Sequence, residues 1–179
     1  MSYVQHYPLL PPLPKIERHD QLPDGAVVIG QLREGYKQDD PLYIFIKRGS
    51  FLSILLTYEG HWGGQDRYVC RHKDFPLKVL SWFPKALADF QRPPAAGGLH
   101  AGAMISKDEN VDGEMLAVGS TTRGYELTNW SRDADGVDAD PDPDYYEPTE
   151  LSLDYELLND FGLLHFWKDL GEKYEQGLL

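Results

Sequence analysis

The stretch YIFIKRGSFLSILLTYEGHW, residues 43 to 62, followed at once by GGQDRYVCRHK, residues 63 to 73, decides the fold. Its β-branched and aromatic residues are cut by Gly-Ser and Gly-Gly pairs, so strands are expected over 42–48, 51–58 and 66–73, joined by tight turns. Side chains alternate along a strand. Tyr43, Phe45 and Lys47 therefore share one face, and Ile44 and Ile46 share the other, which suits a packing helix. Arg67, Val69, Arg71 and Lys73 lie together in the same way, opposite Tyr68, Cys70 and His72. Three like charges at period two repel one another, and a bound polyanion would relieve that repulsion.

Upstream, five prolines at positions 8, 11, 12, 14 and 23 make residues 1–24 an extended arm. GAVVIGQLREG adds a strand at 26–33. Downstream, DFPLKVLSWFPKALADF predicts a helix with Asp74 as N-cap, Pro76 in the first turn and apolar residues at 79, 80, 83, 87 and 90. This first unit spans 25–92, and 93–98 form a linker. The plan then repeats over 99–179. Strands are expected at 99–105, 114–122 and 124–131, with Asp112-Gly113 as a hairpin turn. After the acidic segment 133–144, a strand in YYEPTEL and a helix capped by Ser152 close the chain. Leu157, Leu158 and Phe161 align with Val79, Leu80 and Phe83, and Gly162 then falls on Pro84, so each helix is expected to be weak after its central Phe. The fold class is α+β, two β-β-β-β-α repeats whose antiparallel sheets carry packing helices.

The formal net charge is -12, unevenly spread. Residues 1–107 carry 13 basic and 10 acidic side chains, residues 108–179 carry 4 and 19. Such polarity suits a polyanion-binding face with an acidic appendage, and equally a basic patch that balances local acids. No apolar run is long enough to span a bilayer and the N-terminal residues do not read as a signal peptide, so a cytoplasmic protein without a membrane partner is expected. Cys70 is the only cysteine and is read as a small apolar group.

The strands, the basic turn Lys47-Arg48-Gly49, the glycine-rich turn and DRYVCRHKDFPLKVLSWF resemble the single-stranded-DNA-binding core of positive cofactor 4. The doubled layout resembles the Whirly proteins, which carry two such units in one chain. The resemblance implies a protein that binds single-stranded nucleic acid, oligomerises through its helices, and acts in transcription, replication or recombination. It assigns the interface to Tyr43, Phe45, Lys47, Arg48, Trp62, Arg67, Arg71 and Lys73, with Arg123, Tyr125 and Trp130 as sparser equivalents in the second unit. Rings stacking on bases and cations tracking phosphate are what such binding needs, although large aromatics such as Tyr43 and Phe45 are usually core residues. The family's turn is reordered here, and the second unit's matching turn reads as acidic.

Other chemistry has less support. Cys70 and His72 lack a second ligand pair at zinc-site spacing, and DADGVDADPDPD departs from a calcium loop at its sixth and twelfth positions. With no phosphate-cradling loop or nucleophile elbow, neither catalytic residues, a metal nor a cofactor is expected. The acidic segment is expected to be a flexible loop at the rim of the basic sheet, and a docking point for a protein partner. The competing reading is an acidic protein-interaction module, such as an immunity or inhibitor protein or a nucleic-acid mimic, with the strands as scaffold.

Overall fold

A computed structural model describes residues 7–134 and 146–179. The first half forms one antiparallel sheet, β1 (Ala26–Arg33), β2 (Leu42–Arg48), β3 (Phe51–Trp62) and β4 (Gln65–Pro76), in that spatial order. The second forms another, β5 (Glu109–Val111), β6 (Glu114–Ser120), β7 (Gly124–Asp133) and β8 (Pro148–Asp154), also in sequence order. Helix α1 (Val79–Gln91) follows the first sheet and α2 (Leu163–Glu175) the second. The chain is therefore α+β, with two four-stranded antiparallel sheets. No helix of the described residues is long and apolar enough to cross a membrane.

Several elements differ from expectation. Strand β4 runs on through Asp74 to Pro76, because the Asp74 side chain is held inside a polar network; α1 begins at Val79 after Lys78, with no side-chain cap. Residues 99–105 make no strand, only a bridge from Ile105 to Gly119. The β5–β6 turn does use Asp112 and Gly113, both at positive φ, 49° and 90°, as a two-residue hairpin turn requires. Ser152 lies in β8 rather than at a helix start. Beyond it, a π-helical turn over Glu156–Asp160 and a left-handed Gly162 at φ 80° precede α2. Gly162 therefore ends a turn, whereas Pro84 sits inside a continuous α1. Counted from the helix starts, Leu163 and Trp167 stand in α2 where Val79 and Phe83 stand in α1.

The helices exchange partners. Phe166 and Trp167 of α2 meet Phe45 of the first sheet edge-on, at ring-centre distances of 5.1 and 5.2 Å. Phe90 of α1 meets Tyr125 of the second sheet at 5.4 Å, and Trp82 Nε1 donates to Glu109 at 2.8 Å. Between the helices, Phe83 and Trp167 lie 4.6 Å apart. One apolar cluster thus joins both sheets and both helices. A second cluster lies on the opposite face of the first sheet, where Ile16 of the arm, 1% exposed, packs on Ile44, Ile46 and Leu55. The expected face assignment is reversed: the helix covers Phe45, and the proline-rich arm covers Ile44 and Ile46.

Candidate nucleic-acid interface

Strand β2 begins at Leu42, opposite Thr57, so the β3–β4 hairpin beyond that point projects as a two-stranded ribbon. Its register pairs Gly60 with Arg67, Tyr58 with Val69, Leu56 with Arg71 and Ile54 with Lys73, which puts all of these on the helix-facing side. Trp62 shares that side. Its ring lies across Gly60, where any Cβ would collide with the indole, and meets Tyr58 edge-on at 5.9 Å. Trp62 remains 44% exposed and Arg67 is exposed. The ribbon therefore carries an exposed ring, Trp62, and an exposed cation, Arg67, on one face, with the half-buried Tyr58 beside them.

The remaining assigned residues are dispersed. Phe45 and Tyr43 are buried in the main cluster, so neither ring is open to a base. Burial, with Glu34 nearby, pushes the Tyr43 hydroxyl well above the usual tyrosine range. Lys47 Nζ donates to the Leu179 carbonyl at 2.6 Å, and Arg48 donates to the Pro14 carbonyl at 2.6 Å and to Ser53 Oγ at 3.2 Å. The basic turn thus holds the arm and the last residue. Arg123 is exposed in the β6–β7 turn, which matches the β2–β3 turn in topology, so the matching turn is basic rather than acidic. Tyr125 packs between Phe90 and Tyr155, and Trp130 is half-buried.

Arg71 and Lys73 lie at the ribbon's base, in a 430 Å³ cleft shared with Glu126 and Glu150 of the second sheet and with Glu147, which precedes β8. Burial, reinforced by Glu126 and Glu147 and opposed by Lys73, pushes Glu150 up to about 7, and burial raises Glu126. Here first-half cations meet second-half acids. Ala134 lines the same cleft; the acidic segment 133–144 otherwise lies outside the described residues, apart from Asp133 at the end of β7.

Cys70 is half-buried, with its Sγ donating to the Ile16 carbonyl at 3.5 Å. No group of three or more metal-ligating side chains occurs among the described residues. Tyr58 is the ring missed in the sequence; its spacing of two and four residues from Gly60 and Trp62 was the available signal. No family model, curated protein or solved structure matches this chain.

Proposed function

We propose that the protein binds single-stranded DNA or RNA, without catalysis, along the exposed face of the β3–β4 ribbon. The observation that carries this reading is the grouping of Trp62, Tyr58 and Arg67 on one side of a projecting hairpin. Exposed rings stack on unpaired bases, and an adjacent guanidinium pairs with phosphate. The resemblance to the Whirly layout supports the same substrate class. Arg71 and Lys73 contribute less than the tip, because Glu126, Glu147 and Glu150 already share their cleft.

Fluorescence anisotropy with a labelled strand of about 30 nucleotides at low salt tests this directly. Trp62→Ala is expected to weaken binding about tenfold, within the range of one lost stack. Arg67→Ala should flatten the salt dependence by about 0.7 in log-log slope for one phosphate contact. Lys73→Ala should do little. Absence of binding at low salt, or a preference for duplex, counts against the proposal.

The carboxylates of Glu126, Glu147 and Glu150 favour a second reading, an acidic module for a basic protein partner. Flow-through on heparin and single-stranded-DNA resins at low salt selects it; retention that depends on Trp62 and Arg67 selects the first.

A further inference from the structure

A cavity of 790 Å³ opens where the arm crosses the seam between the two sheets. Arm residues 9–13 wall it with leucine and proline, and Lys15, His72, Asp74, Arg132, Asp133 and Thr149 form its polar side. Asp74 is 8% exposed and Arg132 4%. Asp74 Oδ1 is bonded twice, by Ser53 Oγ at 2.6 Å and with His72 Nδ1 at 3.2 Å, whereas Oδ2 has no hydrogen bond among the described residues. Arg132 gives Nε to Glu114 and Nη1 to the Pro11 carbonyl at 3.2 Å, and its Nη2 has none among the described residues. Neither atom is among the enclosed polar atoms that lack a partner, so both are open to the cavity, where a ligand can reach them. Burial opposes the charge on Asp74, but the bonds to His72 and Ser53, aided by Arg132, hold its carboxyl below the usual range. Oδ2 is therefore an acceptor only.

The cavity wall carries two cations, Lys15 and Arg132, and two carboxylates, Asp74 and Asp133, so an uncharged ligand that offers an N–H to Asp74 and an acceptor to Arg132 complements it. Leucine and proline walls call for a flat, largely apolar body. A nucleobase edge has this pattern, and sites for unstacked bases combine edge hydrogen bonds with apolar walls. The volume suits a nucleoside-sized ligand. We propose that this cavity binds a nucleobase, as a free nucleoside or as one base of a strand, with Asp74 Oδ2 accepting its N–H and Arg132 Nη2 donating to its neighbouring acceptor. The cavity lies on the side of β4 opposite Arg67 and Arg71, so the proposal is independent of the ribbon.

Isothermal titration of the full chain with guanosine, adenosine, cytidine and uridine tests it, with ribose 5-phosphate as the base-free control. At least one nucleoside is expected to saturate one site at up to about 1 mM, and ribose 5-phosphate is not. Asp74→Asn puts an amide nitrogen where the free acceptor stands, and should weaken binding about tenfold while the near-ultraviolet dichroism is retained. Should that variant fail to fold, Leu9→Asp on the exposed wall decides, with a several-fold loss expected. No saturable nucleoside binding, equal binding of ribose 5-phosphate, or parental affinity in a folded variant overturns the proposal. An oligothymidylate competitor then separates the sources: release of bound nucleoside means that the site takes a base of the strand, and no release means a free nucleoside.

Discussion

Pro84 has no N–H to give the Leu80 carbonyl four residues earlier, and it is against that carbonyl that Gly171 of α2 packs. A Cβ on Gly171 would collide with backbone, which yields less readily than a side chain. Ala normally stabilises a helix by about 1 kcal/mol over Gly. At Gly171 overpacking should reverse the sign, so Gly171→Ala is expected to lower stability by about 1–2 kcal/mol in urea denaturation. A gain instead would mean that the helices separate freely. Glu150 gives a second test. Its folded pKa, about 7, lies above the unfolded value, so folding favours the protonated form. That contribution is present at low pH, is lost as pH rises from about 4.3 through 7, and is constant above. Because the side chain is only half-buried, screening reduces the effect to about 1 kcal/mol. Glu150→Gln should therefore stabilise the protein by that amount near pH 8 and hardly at all below about pH 4.5, in paired melts. An equal effect at both values would assign the change to packing.

At the scale of elements, the arm behaves as a strap. Ile16 seats in the apolar cluster on the first sheet, while Arg48, Arg132 and Cys70 bond the carbonyls of Pro14, Pro11 and Ile16, and Leu10 N–H donates to the Ser131 carbonyl at 2.8 Å. Carbonyl contacts ask little of side-chain identity, so the specific anchors are side chains: Ile16, the most buried, with Leu22 on the same cluster and Arg18 over the Tyr68 ring at 4.5 Å. Ile16→Asp buries a charge in an apolar seat and should release the arm. Trypsin cleavage at Lys15 and Arg18 is expected to accelerate about tenfold, with the far-ultraviolet spectrum of the body retained. Unchanged cleavage would show that the arm's other contacts suffice. The same element explains what alternation left unread. The period of two assigned Tyr43 with Phe45 and Ile44 with Ile46, but it cannot tell which face meets a helix when both are apolar. A polyproline-like arm carries no period by which its own packing face might be read. The hairpin turns at Gly49, Gly63 and Asp112-Gly113 were legible because positive φ restricts residue choice. The end of β4 was not. Asp74 looks like a helix cap in sequence, and only the approach of Ser53 and His72 makes it a buried strand residue.

At the scale of the whole molecule, the uneven charge is matched internally where the edge strands β4 and β8 approach, and the site residues assigned by resemblance divide between that cleft, the core and the exposed ribbon. Charge totals were legible in the sequence; which cations face which acids depends on how two sheets far apart in the chain meet. The exchanged helices tie the halves together more strongly. In the first half alone, Phe45 would lose Phe166 and Trp167, and Phe83 would lose Trp167. Full burial of each large apolar side chain is worth about 1.5–3 kcal/mol, and exposing several of them consumes much of a typical stability of about 5–15 kcal/mol. Residues 1–97 expressed alone are therefore expected to lack a cooperative thermal transition as a monomer, to bind a hydrophobic dye, and to associate through the uncovered faces of Phe45 and α1. Adding a 98–179 fragment should restore the transition and give a one-to-one complex by light scattering. A monomeric 1–97 fragment with a sharp, concentration-independent melt would show that the first sheet and α1 form a sufficient core by themselves, and that the exchange of helices is secondary to stability.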